Sequence, residues 1–192
     1  MKGTPSLFEP LRLGGLTLAN RIAVSPMCQY SAENGAANDW HLQHLGSLSL
    51  SGAGLVIVEQ TAVEPVGRIT HCCLGLYSDA NEAALARVVG FCRRAGSAAL
   101  GIQLAHAGRK GSAKLPWEGG GPLSADASAW MTAAPSVSDS GGGERVHAGA
   151  VHRKPPARRF WPLPTADPAP RPVRRFPPPA GRRAGSCFGL RC

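Results

Sequence analysis

Three short apolar runs constrain this chain more than any other feature: Ile22-Ala23-Val24, Leu55-Val56-Ile57-Val58 and Leu100-Gly101-Ile102. They are continuous rather than alternating, the pattern of strands covered on both faces, as in a parallel sheet. Each gives way at once to polar chemistry. The first enters Ser25-Pro26-Met27-Cys28-Gln29-Tyr30, the second Glu59-Gln60-Thr61, and the third Gln103 through Lys110. A proline, a thiol, an amide and a phenol within five residues make a poor core segment and a plausible site.

The segments between the runs have helical spacing. Leu42, Leu45 and Leu48 predict one buried stripe on a helix from Trp40 to about Leu50, with Asp39 as its expected cap. Leu85, Val88, Val89 and Cys92 predict a second helix from about Ala80 to Ala95, closed by Gly96 in the position that favours glycine. Ahead of these, Gly14-Gly15 between Leu7–Leu13 and Leu16–Leu18 predicts a hairpin, because two positive-φ positions cost glycine little. Arg21–Val24 and Ala98–Leu104 are expected to be buried strands.

A hairpin followed by β-α-β-α-β argues a parallel α/β sheet. A dinucleotide-binding unit would need G-x-G-x-x-G after its first strand, and Ser25–Tyr30 contains no glycine. A TIM barrel instead gathers its chemistry beyond the C-terminal ends of several strands. Three site-like stretches in succession favour the barrel. The expected fold class is therefore α/β: about three βα units plus a hairpin, the N-terminal portion of a TIM barrel, followed by a disordered tail.

The motifs, taken in order, carry a family likeness. Leu7-Phe8-Glu9-Pro10, Leu18-Ala19-Asn20-Arg21-Ile22, Ser25-Pro26-Met27-Cys28-Gln29-Tyr30, Val58-Glu59, Ala62-Val63-Glu64-Pro65, Gly67-Arg68-Ile69-Thr70 and Gln103 to Lys110 together resemble the Old Yellow Enzyme family of FMN-dependent ene-reductases. The resemblance is to the bacterial branch with a cysteine beside the flavin, and it covers about Ser6 to Pro135.

It implies that Ser25, Pro26, Met27 and Cys28 line the isoalloxazine, with Cys28 tuning its potential. Gln60 stands where the family places a small flavin-contacting residue, often alanine. Gln103 would hydrogen-bond the pyrimidine end of the flavin. Tyr30 would face the substrate, with Arg109 and Lys110 near the cofactor and the mouth of the site. The implied reaction uses NAD(P)H to reduce FMN, which passes hydride to an activated, enone-like alkene. The resemblance also implies a frequently homo-oligomeric protein.

Read without the resemblance, Cys28 could be an ordinary buried thiol and Tyr30 a loop aromatic. His41 and His44 lie three apart, but nothing acidic accompanies them, so capping or core roles are expected and no metal site. His106 is not assigned a catalytic role, and Arg93-Arg94 reads as a solvated helix end. The cysteines form no C-x-x-C pair, and no apolar run suits a membrane span or leader, so a reducing, cytoplasmic setting is expected.

The net charge of +9 is unevenly placed. Residues 1–144 carry −1 and residues 145–192 carry +10, so basicity says nothing about what the first part binds. The tail from Arg145 holds 10 Pro and 10 Arg and cannot bury enough apolar surface to offset its ordering entropy.

The expected division is a partial FMN-binding barrel over 6–136 and an Arg/Pro-rich tail over 137–192. The tail reads as out-of-frame translation of a GC-rich gene. A full barrel needs ~250 residues, and the family's substrate-binding histidine pair is absent, since His147 and His152 lie five apart in a different context. The chain alone is therefore expected to be inactive. Two rivals remain: a polyanion binder, for nucleic acid or membrane, acting through the tail, and a non-catalytic half-barrel completed by a separate chain.

Overall fold

A computed structural model of the protein describes residues 6–124 and 128–133, together with the backbone of His147–Ala148. The chain opens with a hairpin of β1 (Leu11–Leu13) and β2 (Leu16–Leu18), in which Leu13 stands opposite Leu16. Only Gly14 takes a positive φ, of 58°, so one left-handed residue suffices for the turn where two were expected. Then follow β3 (Ala23–Val24), α1 (Asp39–Leu50), β4 (Leu55–Ala62), α2 (Asp79–Ala95) and β5 (Ala99–Ala105). β3, β4 and β5 form one parallel sheet in that order, with β4 in the middle. A short parallel pair, β6 (Thr132–Ala133) with β7 (His147–Ala148), lies later in the chain. The expectations for residues 137–192 otherwise fall outside the described residues.

The core lies on one face of the sheet. Val56 and Val58 of β4 meet Leu45 of α1 and Leu85, Val88 and Cys92 of α2, with Val24 and Leu100 packed beside them. Ile57 and Leu55 project to the other face, where Gly101 of β5 approaches their side chains. With Val56 and Val58 buried on one face and Leu55 and Ile57 half-buried on the other, β4 has cover on both sides, which accounts for its unbroken apolar text. Leu42, Leu45 and Leu48 do pack inward as the spacing predicts, Leu45 most deeply.

Several local details depart from the sequence reading. The cap of α1 is Asn38, not Asp39: the Asn38 side chain accepts from Trp40 N at 3.1 Å, and His41 Nδ1 accepts from Asn38 N at 3.1 Å. Asp39 instead sits in the first turn, where its charge suits the helix dipole and meets Arg87 of α2 at 2.7 Å. Ser78 caps α2 through Asn81 N. Gly96 ends α2 with φ −91°, not left-handed. Its glycine is required by proximity, because a Cβ there would lie 2.5 Å from Ser49 Oγ at the end of α1.

β3 and β5 are not buried strands. Ala23 is exposed, and along β5 Ile102, Gln103 and Leu104 are exposed, Leu104 to 55 %. Each is an edge of the three-stranded sheet, so cover from a further strand is lacking among the described residues. β4 also runs further than its apolar text, through Glu59, Gln60 and Thr61 to Ala62. At its last residue, Ala62 bridges Gly75, and its N–H and carbonyl bond Leu74 O and Leu76 N, each at 2.8 Å.

That bridge seats Leu74, 1 % exposed, in the core. Leu74→Ala should cost about 2–5 kcal/mol by leaving a cavity among packed neighbours. Leu50→Ala, at a position 57 % exposed, should stay within about 0.5 kcal/mol. Urea unfolding at constant slope reads both, and equal midpoints would contradict this core.

Candidate active site

The loops that follow the three parallel strands converge at the strands' C-terminal ends. Ala32 N bonds Cys72 O at 3.0 Å, joining the loop after β3 to the loop after β4. Ala107 N bonds Gly67 O at 2.8 Å and Ala113 N bonds Ile69 O at 2.9 Å, joining the loop after β5 to the same segment. Tyr30, after β3, packs edge-on against Trp117, after β5, with ring centroids 5.9 Å apart. Arg68 stacks over Trp130, whose indole N–H donates to Val66 O at 3.1 Å.

The residues singled out from the sequence are distributed over this end as follows. Ser25 and Met27 are exposed, while Pro26 and Cys28 are half-buried. Gln60 of β4 stands directly opposite Gln103 of β5, just past an irregularity in register after Val58. Gln60 is buried, yet neither its amide nitrogen nor its amide oxygen has a hydrogen-bond partner. A buried amide with both ends idle is costly, on the order of 1–3 kcal/mol per group. Gln103 is exposed rather than enclosed. Arg109 and Lys110 lie in the 3-10 turn Gly108–Lys110 that follows β5 directly, Arg109 half-buried and Lys110 exposed. Tyr30 is half-buried with φ 50°, a left-handed conformation that is strained for a bulky residue.

Beneath this row lies an acidic group, Glu59, which closes the apolar run of β4. Glu59 is 4 % exposed and its Oε2 accepts from Gln29 N at 2.9 Å. Burial pushes the carboxyl up to about 7, against the lowering effect of that N–H. His41, 1 % exposed, turns its Nε2 toward Glu59 Oε1 at 3.6 Å, too far for a hydrogen bond. Burial, with a smaller contribution from His44, lowers His41 to about 4, so the imidazole is neutral near pH 7 and the contact is not an ion pair there. His41 thus fills the capping and core roles expected for it. No signal in apolar periodicity marks Glu59; the clue was a carboxylate closing a continuous apolar run.

Two thiols complete the layer. The Cys28 thiol is raised chiefly by its interaction with Cys73, and the same interaction lowers Cys73, whose sulfur also accepts from Thr70 N at 3.4 Å. Tyr30 is raised, first by burial and then by the negative charge of Cys28, Cys73 and Glu59. His106 stands apart, pairing with Glu64 at 2.9 Å and accepting from Gly108 N at 3.0 Å. Among the described residues no cluster of His, Cys, Asp or Glu could hold a metal ion, and no helix is long and apolar enough to cross a membrane.

The Glu59 environment sets a pH signature. A carboxyl held above its unfolded value of 4.5 supports folding fully below that pH and loses its contribution as pH rises through about 7. His41 acts oppositely, losing its contribution as pH falls through 6.5 toward about 4. Because the main causes of the His41 shift do not include Glu59, that effect cancels between wild type and Glu59→Gln. Stability of Glu59→Gln relative to wild type should climb between pH 5 and 7, by up to about 1.4 kcal/mol per pH unit. Urea unfolding across that range checks it, and parallel curves would mean an ionised Glu59 throughout.

Comparison with known proteins fits these features. The profile of the NADH:flavin oxidoreductase / NADH oxidase family matches residues 6–136. An NADPH dehydrogenase of Listeria monocytogenes is 52 % identical over 114 residues, which are 58 % of this chain and 33 % of the relative. An NADH:flavin oxidoreductase of Gibberella zeae is 46 % identical over 115 residues, 60 % of this chain and 28 % of the relative. Among solved structures, an old yellow enzyme homologue from Zymomonas mobilis superposes with TM-score 0.59 at 26 % identity, covering 76 % of this chain and 39 % of that one. Morphinone reductase in complex with tetrahydroNAD gives 0.58 at 29 % identity, covering 72 % and 35 %. The chain thus spans about a third of the length of these relatives, and its fold is the α/β N-terminal part of their TIM barrels. The match across residues 6–136, on a parallel α/β fold, places the chain in the NADH:flavin oxidoreductase / NADH oxidase family of FMN-dependent NAD(P)H oxidoreductases.

Proposed function

We propose that residues 6–136 form the first wall of an FMN site in an ene-reductase of the bacterial branch with a flavin-side cysteine. The observation that carries this reading is the Gln60 amide, buried with both ends unpartnered and in register with the exposed amide of Gln103. Donor and acceptor ends side by side suit the alternating carbonyl and imide edge of a flavin. Ser25, Pro26, Met27 and Cys28 form the row beside them, and the small or flat surfaces of that row let a ring approach the backbone. When bound, FMN supplies hydride transfer from NAD(P)H to an activated, enone-like alkene.

The chain's own residues would bind and orient. Gln60 and Gln103 fix the edge of the ring. Cys28 adjusts the electrostatics beside it, and Tyr30, at φ 50° with its ring edge-on to Trp117, presents its hydroxyl toward a substrate. Arg109 and Lys110 place positive charge at the mouth. The partial barrel and the basic tail are separate domains in this reading. The exposed side chains of β5 support the need for further strands before the site closes.

The test joins residues 1–135 to the part of the Listeria NADPH dehydrogenase beyond its matching region. The chimera should purify yellow with bound FMN, and NADPH should bleach its visible band. The 192-residue chain alone should retain no stoichiometric flavin. Gln103→Ala in the chimera should weaken FMN binding about tenfold, as expected for one lost hydrogen bond to a polar edge. A folded, colourless chimera would remove the assignment of this wall, and a yellow, NADPH-bleachable chain alone would overturn its dependence on missing strands.

A further inference from the structure

Tyr30 is the one aromatic residue at positive φ among the described residues; the other non-glycine positions are Asn34, Ser112 and Ser128. Short polar side chains tolerate the left-handed region, whereas a phenol ring there is a strained exception. Such a conformation persists only where its surroundings over-determine it, and strain of this kind gathers at functional sites.

Two anchors bracket Tyr30. On its N-terminal side, Gln29 N donates to Glu59 Oε2 at 2.9 Å, across 30 positions of sequence. On its C-terminal side, Ser31 O accepts from Asn38 Nδ2 at 2.7 Å. Between them, Ser31 Oγ donates to Gln29 O at 3.0 Å and closes the turn on itself. Each anchor is fixed in its own right. The Glu59 carboxyl is 4 % exposed in the middle strand of the sheet, and its second oxygen faces His41 Nε2 at 3.6 Å. Asn38 caps α1, so its Oδ1 is committed to Trp40 N and its Nδ2 reaches the turn. The ring so held lies edge-on to Trp117.

We propose that Glu59 and Asn38 are positioning residues for Tyr30: one from β4 and one from the cap of α1, they grip the backbone on either side of the phenol and hold the turn that aims it. Both act through Tyr30. The aim of the phenol toward a substrate rests on the FMN-site reading above; the grip does not, and it can be read with no flavin present. The first anchor requires an acceptor at the Glu59 position, which the amide oxygen of a glutamine also supplies. The second requires a donor at Asn38, which an aspartate lacks although its carboxylate still caps the helix.

The chain has two tyrosines, Tyr30 and Tyr77, so labelled tyrosine rings in the full 192-residue chain give separate NMR signals for each. Tyr77, whose hydroxyl donates to Asn34 O at 3.1 Å, serves as the internal control. In Glu59→Ala the Tyr30 signals should lose the shift imposed by Trp117. Exchange of the Gln29 amide hydrogen should speed up by about tenfold in that variant, as for one lost hydrogen bond. Glu59→Gln should keep both at wild-type values. Asn38→Asp should move the Tyr30 signals and leave those of Tyr77 in place; should Glu59→Ala not fold, this variant and Glu59→Gln decide the matter. Unmoved Tyr30 signals in Asn38→Asp, loss of the Trp117 shift in Glu59→Gln, or Tyr77 signals that move as far as those of Tyr30 in Asn38→Asp would each overturn the proposal. In a flavin-loaded chimera, Asn38→Asp should raise KM for cyclohexenone by about tenfold and Glu59→Gln should not. An unchanged KM there overturns the role toward substrate, whereas a colourless chimera counts against the FMN-site reading and leaves the ring signals to decide the grip.

Discussion

Every backbone hydrogen bond that joins the parallel sheet has β4 on one side of it, because β3 and β5 have no other strand neighbour among the described residues. Parallel strands cannot be linked by a tight turn; each needs a crossover helix that returns the chain to the same end of the sheet. The two crossovers are α1 and α2, and both bury their apolar stripes against Val56 and Val58. The loops then start from a common platform. That is why segments as distant in sequence as Tyr30 and Trp117 meet over one end of the sheet.

What was legible in the sequence was whatever rests on periodicity. The three strands, both helices and the inward face of α2 follow from apolar spacing alone, and the hairpin from its glycine pair. What was not legible depends on neighbours. Whether β3 and β5 are buried is decided by strands flanking them, not by their own residues. The cap of α1 moved one position because His41 supplies the reciprocal half of a capping box to Asn38, a pairing that an Asp39 cap would forgo. The glycine at 96 reads from sequence as a conformational requirement and is in fact a spacing requirement, set by Ser49 from the other helix.

The candidate site divides in the same way. Family motifs pointed to Ser25–Cys28, Tyr30, Gln60 and Gln103, and the structure places them over the ends of adjoining strands. Their chemical condition was hidden. The in-register placement of two amides requires knowledge of strand register, and the idle state of the Gln60 amide requires knowledge of its surroundings. The link between Cys28 and Cys73 spans two loops, so no window of sequence contains it. A chain that spans about a third of its relatives still displays these details, because β4 and its two helices already enclose the floor of the site.

His41 has two duties that are usually separate. One ring nitrogen secures the first turn of α1, and the other faces the buried carboxyl that carries the Gln29 backbone beneath Cys28. The start of a structural helix and the underside of a chemical surface are therefore fastened by the same imidazole. Drift at this position would be felt at once in two unrelated properties, the setting of α1 against the sheet and the proton affinity below the thiols. A residue so placed has very little room to vary.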